Sequence, residues 1–259
     1  MRLSEKSKDE MNHFIHAALE QGAYFFDHAD IYGGGMSESV FGEAFADDPS
    51  LKREDMYLQS KCGIRQGFYD FSKEHILKSV DGILKRLHTD YLDLLLLHHP
   101  GNGDVAAYHA LEKAVEKNFV RSIGLSNWYV KELTEFLPQV DVLPALVQNE
   151  IHPYYQDQDV VPFIQDKGIV VQAWFPLGGR GWTKSVLGNP IIAKIAEAHS
   201  KSAAQVVLRW NLQRNVSVIP GSSNPAHIKE DTEIFDFELS DSDMKAIAAL
   251  DRHEKHEWY

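Results

Sequence analysis

The strongest constraint on the fold is a series of short apolar segments that alternate with amphipathic helical segments along the chain. Parallel strands joined by helices in this way need right-handed crossover connections. Two architectures fit the alternation, an open doubly wound sheet and a closed (β/α)₈ barrel. The predicted strands cover residues 23–27, 56–62, 91–98, 122–126, 145–151, 168–175 and 216–220.

The loop after the first predicted strand favours the barrel. An open dinucleotide-binding sheet would carry the fingerprint G-x-G-x-x-G there, whereas the chain has Gly33-Gly34-Gly35. The opening helix also has no strand before it. We therefore predict an α/β fold of the (β/α)₈ TIM barrel class whose first strand is absent from this numbering, with Met1 and Arg2 as its last residues. No linker interrupts the series, so residues 1–259 are predicted to form a single domain.

Composition narrows the classes of function. The chain has 26 basic and 38 acidic residues, a net charge of −12, which argues against nucleic-acid or anionic-membrane partners. Its one cysteine, Cys62, excludes an internal disulfide and a cysteine-cluster metal site. The sequence shows neither a signal-peptide pattern nor a membrane-length apolar run. We expect a cytoplasmic enzyme, with a monomer as the default.

Polar side chains stand at the ends of three consecutive predicted strands. Asp27 ends the first, and Tyr32 follows it in the glycine-rich turn of the stretch AYFFDHADIYGGG. Lys61 lies near the end of the second strand, and His98 ends the third. Because the carboxyl ends of barrel strands face one mouth, we expect these four side chains to meet there.

Their chemistry suits carbonyl reduction. A tyrosine hydroxyl, with a pKa of about 10, is a poor proton donor at neutral pH. A nearby ammonium stabilises the phenolate, and a carboxylate keeps that ammonium charged and oriented. A histidine can donate a hydrogen bond to a carbonyl oxygen that becomes negative during reduction. The set Asp27, Tyr32, Lys61 and His98 therefore predicts a carbonyl-reducing site that lacks only a hydride donor.

The same segments resemble the aldo-keto reductase family. The likeness covers nearly the whole chain and is carried by an ordered combination of motifs. They are FFDHADIYGGG, LQSKCG, YLDLLLLHHP, IGLSNW, VQNEIHPY, AWFPLGG, AQVVLRW and VIPGSSNPAHIKED.

The resemblance implies a (β/α)₈ barrel that binds NADP(H) and reduces an aldehyde or ketone to an alcohol. It implies that Tyr32 is the general acid, that Lys61 and Asp27 tune it, and that His98 orients the carbonyl. Family members normally begin with a strand that ends in a glycine-containing turn, which fits the missing first strand. The alternative is a nicotinamide-nucleotide-binding redox sensor or regulatory subunit with negligible turnover.

The resemblance also assigns cofactor contacts. Amide and hydroxyl groups should hold the nicotinamide carboxamide, and an aromatic ring should stack on the nicotinamide. A glycine-rich segment with an arginine should cover the pyrophosphate, and a helix N-terminus should receive the 2′-phosphate. The carboxamide residues are Ser126, Asn127 and Gln148, and the stacking ring is Trp174. The pyrophosphate segment is Leu177–Gly181, with Leu177, Gly178 and Arg180, and Phe175 is a further cofactor contact. The 2′-phosphate residues are Gly221, Ser222, Ser223, Asn224 and His227, with Glu230 and Asp231 at the adenine.

Two cations common in the family are missing from the last of these segments. Many members have a lysine where Gly221 stands and an arginine where His227 stands. We predict NADPH as the cofactor, with NADH as the alternative, and a smaller preference for NADPH than in members that have both cations.

The substrate is predicted to be a small carbonyl compound in a pocket that includes Phe68, His99 and Trp128. A metal-dependent hydrolase that uses some of the 13 histidines is a further alternative. Adjacent strand residues point to opposite faces, so His98 and His99 are not expected to share a metal. No metal is therefore predicted.

Overall fold

The computed structural model describes residues 3–65 and 68–256. The chain groups into two compact units, one within residues 1–147 and the other within residues 148–259. Each unit is described by itself below. The single-domain organisation stays a prediction.

The first unit alternates strands and helices as the apolar pattern predicts. Its strands are β1 (Phe25–Asp27), β2 (Tyr57–Cys62), β3 (Ile64–Arg65), β4 (Phe68–Tyr69), β5 (Leu92–Leu97) and β6 (Val120–Ser126). Its helices are α1 (Lys8–Glu20), α2 (Met36–Ala46), α3 (Lys73–Arg86), α4 (Asp104–Glu116) and α5 (Val130–Phe136). Strand β7 (Leu146–Glu150) begins at its end.

The second unit continues the alternation after β7. Its strands are β8 (Val170–Trp174) and β9 (Val216–Val218). Its helices are α6 (Val160–Gln165), α7 (Thr183–Leu187), α8 (Pro190–His199), α9 (Ala203–Gln213), α10 (Pro225–Thr232) and α11 (Asp241–Ala248). Strands β8 and β9 pair in parallel, with Val171 opposite Val216.

Parallel pairing in the first unit brings the ends of the strands to one edge. β1 pairs with β2, β2 with β5, and β5 with β6, all in parallel. The register places Asp27 opposite Gln59 and Lys61 opposite Leu96. The carboxyl ends that carry the predicted site residues therefore lie together.

Strand β5 is buried along its whole length, as its continuous apolar run predicts for a strand covered on both faces. Leu94 and Leu96 form a core cluster with Leu146 of β7. This packing fixes the strand that leads into His98.

Helix caps explain where two helices of the first unit begin. Ser72 caps α3, since its side chain accepts a hydrogen bond from the backbone N–H of His75. The sequence also predicts Ser37 as the N-cap of the helix after the glycine-rich turn, because serine is a favoured capping residue, and this prediction is wrong. Helix α2 begins at Met36, with Gly35 at the cap position at φ 91°, and Ser37 lies buried inside the first turn. The left-handed turn of Gly33–Gly35 starts this helix early.

Some local structure was not predicted. The short antiparallel hairpin of β3 and β4 pairs Ile64 with Tyr69, and its residues lack the alternation of a longer strand. Helix α7 has only five residues, too few to give a helical repeat. The proposed remnant of a first strand, Met1 and Arg2, lies outside the described residues. Within those residues, no helix is both long and apolar enough to cross a bilayer.

Candidate active site

Lys61 is the centre of the predicted set of four residues. It lies near the end of β2 and is almost completely buried. Its ammonium Nζ donates to Asp27 Oδ1 at 2.7 Å and Oδ2 at 2.6 Å, and to the Tyr32 hydroxyl at 3.1 Å. It also donates to the main-chain oxygen of His28 at 3.0 Å. The structure thus brings Asp27, Lys61 and Tyr32 into one hydrogen-bonded chain.

Two opposing effects act on Lys61. Burial alone would lower the pKa of its ammonium, but the attraction of Asp27 and Tyr32 outweighs burial and raises that pKa. The lysine is therefore a cation at neutral pH inside a water-poor site. A fixed positive charge 3.1 Å from a phenol oxygen favours the ionised form of that phenol.

Tyr32 is presented by the glycine turn that follows β1. It starts a 3₁₀ turn, Tyr32–Gly35, in which Gly33 has φ 61° and Gly34 has φ 66°. A side chain at Gly33 would also collide with Ser4, because a Cβ there would lie 2.5 Å from the Ser4 Cβ. The tyrosine is 38% exposed, so its hydroxyl contacts Lys61 while part of the side chain stays accessible.

His98 follows directly after β5, and its ring stands almost perpendicular to that of Tyr32, with ring centres 6.3 Å apart. Burial, together with the charge of Lys61 and the neighbouring His99, lowers its pKa well below the usual histidine range. The imidazole is therefore neutral at physiological pH. A neutral imidazole carries one N–H, so His98 can donate to a substrate oxygen without adding a charge.

Two members of this hydrogen-bonded chain were missed from the sequence. The Gln59 side-chain amide donates a short hydrogen bond to Asp27 Oδ1, and the His28 carbonyl accepts from Lys61. A backbone carbonyl leaves no sequence signal. Gln59 does leave one: it stands two residues before Lys61 on the same strand and so shares its face.

The three predicted pocket residues have different surroundings. His99 stacks on His98 with ring centres 5.0 Å apart and planes 12° apart, and it also contacts the ring of Tyr69. Phe68 is 78% exposed on the β3–β4 hairpin, whereas Trp128 is fully buried against Phe136. The structure therefore adds Tyr69, which the sequence did not predict, as a neighbour of His99.

The two cofactor candidates of the first unit adjoin the catalytic candidates. Ser126 ends β6, and Asn127 follows in a left-handed conformation at φ 68°. The Asn127 amide nitrogen donates to the His98 carbonyl at 3.1 Å and to the Ser126 hydroxyl at 3.2 Å. This ties the polar end of β6 to the residue at the end of β5.

In the second unit, further candidates lie on or beside β7 and β8. The Gln148 amide donates to the Gln172 side chain at 2.7 Å, and both residues are buried. Trp174 ends β8 with its ring partly accessible and contacts Phe175 edge to face. A partly exposed indole at a strand end is suited to stacking on a flat heterocycle.

The glycine-rich segment after β8 is held by the C-terminal part of the chain. The His256 ring lies between the His152 and Trp182 rings, with centres 4.1 and 4.4 Å away. His256 Nδ1 donates to the Gly178 carbonyl at 2.6 Å. Only glycine fits at Gly179, because a Cβ there would lie 2.1 Å from the Phe175 ring. Arg180 within this segment is exposed.

Helix α10 carries the candidates for the adenosine end of a cofactor. Asn224 caps it by accepting from the Ala226 N–H, and the Ser222 hydroxyl accepts from the Asn224 N–H. Gly221 and His227 are exposed. Burial and the neighbouring Glu230 raise the pKa of Asp231 to about 6. Pro225 has no N–H, and the Asn224 and Ala226 N–H groups are already bonded, so this end offers an anion chiefly the positive end of the helix dipole.

Two groups of side chains in the described part of the chain bear on the metal alternative. One is His109, Glu112 and Asp141, in which His109 Nδ1 is hydrogen-bonded to Glu112 at 2.7 Å; the other is more buried. Glu150, His152 and His256 place potential ligand atoms within 4.8 Å of one another. His152 uses both ring nitrogens, since Nδ1 accepts from the Tyr154 N–H and Nε2 donates to Glu150. A metal ion lies close to the plane of each imidazole that binds it. The stacked His152 and His256 rings have planes only 18° apart, so one nearby ion could not lie in the planes of both rings. The geometry favours a hydrogen-bonded ring stack over a metal centre.

The expectation that His98 and His99 point to opposite faces is wrong. Strand β5 ends at Leu97, so neither residue follows strand alternation, and the two rings stack. Nearly parallel imidazole planes are also unsuited to sharing one metal ion.

A cavity of about 480 Å³ lies at the opposite ends of the strands in the first unit, lined by Tyr24, Tyr57, Asp93 and Arg121 among others. It contains none of the four catalytic candidates. The catalytic candidates lie at the carboxyl ends of the strands, away from this cavity.

Known proteins match the chain over most of its length. The model of the aldo/keto reductase family matches residues 1–252. The chain is 35% identical to a morphine 6-dehydrogenase of Pseudomonas putida, with 95% of this chain and 84% of the relative covered. It is 33% identical to an NADP-dependent D-sorbitol-6-phosphate dehydrogenase of Malus domestica, with coverage of 95% and 87%.

A solved structure is similar over nearly the whole chain. The crystal structure of MGS-M4, an aldo-keto reductase from a deep-sea metagenome library of the Medee basin, matches with a TM-score of 0.89 and 30% identity. The match covers 98% of this chain and 90% of that one. The predicted (β/α)₈ class of fold is confirmed.

Proposed function

Because the chain belongs to the aldo/keto reductase family of oxidoreductases, we propose that it reduces an aldehyde or ketone to an alcohol, with Tyr32 as the proton donor. The observation that carries this proposal is the contact of the buried Lys61 ammonium with the Tyr32 hydroxyl at 3.1 Å. Asp27 holds the same ammonium through both carboxylate oxygens.

The proton comes from the Tyr32 hydroxyl. As the substrate oxygen gains negative charge, the hydroxyl gives up its proton to that oxygen, and a phenolate remains. Lys61 stabilises this phenolate through its positive charge. Because the lysine is buried, water screens this attraction only weakly. Asp27 keeps Lys61 charged and aimed. General acid catalysis of this kind contributes about 10²- to 10⁴-fold to a rate.

His98 orients the carbonyl. Its lowered pKa keeps it neutral, so its N–H stabilises the developing charge on the substrate oxygen without competing with Tyr32 to deliver the proton. Removing one such donor typically costs about 10²- to 10³-fold in kcat. The Asn127 contact to its carbonyl holds the backbone of this residue.

The residues present fit a nicotinamide nucleotide. When bound, the cofactor supplies the hydride. The fit rests on the polar pair Ser126 and Asn127, the accessible Trp174 ring, and the exposed, Asn224-capped N-terminus of α10. We assign the carboxamide to Ser126, Asn127 and Gln148, the stacking to Trp174, and the pyrophosphate to Leu177, Gly178 and Arg180, with Phe175 as a further cofactor contact. The 2′-phosphate falls to Gly221, Ser222, Ser223, Asn224 and His227, and the adenine to Glu230 and Asp231.

NADPH is the proposed cofactor, with NADH as the alternative. The name of the Malus domestica relative states that it is NADP-dependent. The serines and the helix N-terminus at α10 support a bound 2′-phosphate. Exposed Gly221 and His227 supply no permanent cation there, so the preference is expected to be modest.

The substrate pocket is proposed to include His99, Phe68 and Trp128, with Tyr69 beside them. The His99 ring stacks on His98 and contacts the Tyr69 ring, which suits a small carbonyl compound with apolar or aromatic substituents.

The proposed reaction is tested by following oxidation of NADPH and NADH against a panel of aldehydes, ketones and quinones. We expect turnover with several members of the panel. Binding of NADPH without turnover across the whole panel would contradict the proposal and favour the redox-sensing or regulatory alternative.

A further inference from the structure

We propose that Gln59 is a positioning residue of the proton-donating site, which leaves Lys61 free to stabilise ionised Tyr32. Its side-chain amide donates to Asp27 Oδ1, the same oxygen that accepts from Lys61 at 2.7 Å. This inference concerns how the four-residue site is tuned and rests on the proposed function for its catalytic meaning.

The fold places Gln59 at this position through strand pairing. In the parallel register of β1 and β2, Gln59 lies directly opposite Asp27. Lys61 lies two residues further along β2 and therefore on the same face. Gln59 is completely buried, so its amide meets Asp27 without competition from bulk water.

The contacts of Lys61 show why a second donor to Asp27 matters. An ammonium has three N–H groups, whereas four oxygens lie within 3.1 Å of Nζ: both carboxylate oxygens of Asp27, the His28 carbonyl and the Tyr32 hydroxyl. Tyr32 makes the longest of these contacts. Because Gln59 also donates a hydrogen bond to Asp27 Oδ1, this oxygen does not depend on Lys61 alone for a donor. One N–H of Lys61 therefore remains available for the Tyr32 hydroxyl.

Loss of the Gln59 amide would change how the N–H groups of Lys61 are shared between Asp27 and Tyr32. Asp27 would then draw the ammonium more fully to itself, and the phenolate of Tyr32 would lose stabilisation. Tyr32 should therefore ionise at a higher pH. The titratable groups close to Lys61 and Tyr32 in the described part of the first unit include Asp27, His28, Asp30 and His98. Burial raises the pKa of Asp30 to about 7, but this carboxyl is present in both proteins, so its titration does not distinguish the variant from the wild type. Burial lowers the pKa of both histidines, so they stay uncharged and do not account for the change.

The test is a titration of the protein without cofactor or substrate. Tyrosine labelled with ¹³C at the hydroxyl-bearing ring carbon gives one resonance per residue, and the resonance missing in Tyr32→Phe belongs to Tyr32. We expect the midpoint of its pH titration to be higher in Gln59→Met than in the wild type. Gln59→Thr, too short to reach Asp27, should shift it in the same direction and serves if Gln59→Met does not fold.

Ser60→Ala is the matched control. Ser60 is the next residue on β2, is equally buried, and donates to Glu38 at 2.6 Å on the other face of the strand. This variant should lower stability without moving the Tyr32 midpoint. An unchanged midpoint in folded Gln59→Met or Gln59→Thr would overturn the inference. Because no turnover is measured, that result is distinct from a failure of the proposed reaction.

The pH profile of alcohol oxidation adds a second readout. If the enzyme turns over, the alkaline rise of kcat/KM should move to higher pH in Gln59→Met and stay in place in Ser60→Ala. A purely structural role for Gln59 would lower the rate at every pH without moving the profile.

Discussion

The ammonium of Lys61 lies 3.1 Å from the hydroxyl of Tyr32, and the same ammonium forms an ion pair with Asp27. Two short segments of sequence contribute these residues, and parallel pairing of β1 with β2 brings them together. Each of the side chains has an ordinary structural explanation when considered alone. The direct contact makes a joint role in proton donation the simplest account.

Asp27→Asn should remove activity most strongly at alkaline pH. In the wild type, burial alone would lower the pKa of Lys61, but the attraction of Asp27 and Tyr32 outweighs burial and raises it. Without the carboxylate, burial dominates and that pKa falls, so the lysine loses its proton as the pH rises. The measurement is kcat against pH, and equal losses at all pH values would contradict this explanation.

Asp93→Asn is the control for Asp27→Asn. Asp93 is a buried carboxylate on β5, the strand on the other side of β2, and it pairs with Arg53 and Arg121. Removing one partner of a buried ion pair costs about 3–5 kcal/mol of stability. The control should therefore unfold more easily while the pH profile of the folded enzyme stays unchanged.

His28→Leu should make the protein less sensitive to acid. Burial lowers the pKa of His28 from 6.5 to about 4. Between these two pH values His28 is therefore protonated in the unfolded chain but not in the folded chain. This histidine therefore costs the wild type stability as the pH falls from about 6.5 to about 4. At pH 5 the loss relative to pH 7 is about 2 kcal/mol.

Urea unfolding of the wild type and His28→Leu at pH 7 and pH 5 measures this difference. Neither ring nitrogen of His28 finds a hydrogen-bond partner in the described part of the chain, so the variant should remain folded at pH 7. Replacing the exposed His13 by leucine should leave the pH dependence as in the wild type. Equal acid sensitivity of His28→Leu and the wild type would show that His28 is protonated in the folded state.

The preference for NADPH should be modest and easily increased. The ratio of kcat/KM for NADPH to that for NADH measures it, and a preference of many thousandfold in the wild type would contradict the assignment at α10. The double variant Gly221→Lys and His227→Arg should raise the ratio, because both added cations lie near the helix N-terminus. Space exists for the lysine, since nothing lies within 4 Å of a Cβ at Gly221.

Glu197→Lys on α8 is the control for added charge. It changes the net charge by the same amount as the double variant, on an exposed position of another helix. The ratio should not change in this control. A similar increase in both proteins would mean that overall charge, rather than a local contact, sets the preference.

The fold and the four catalytic candidates could be predicted from the sequence because both follow from simple periodicity. Buried strands such as β5 give continuous apolar runs, and parallel pairing brings their polar ends to one edge. Elements of two to five residues, such as β3, β4 and α7, carry too little pattern to predict.

Other parts of the site depend on three-dimensional contacts that no local pattern encodes. The His28 carbonyl reaches Lys61 through the backbone. His256 inserts its ring between His152 and Trp182 although long stretches of chain separate the three. The start of α2 was misjudged because Gly35 replaces a side-chain cap by a left-handed turn.

The most direct test of the central claim is the turnover of Tyr32→Phe. The substitution removes the hydroxyl that contacts Lys61 and keeps the ring beside His98. We expect carbonyl reduction to fall by about 10²- to 10⁴-fold, while binding of NADPH, measured by fluorescence titration, stays within a few-fold of wild type. Full aldehyde reduction by Tyr32→Phe would contradict the assignment of this tyrosine as the proton donor.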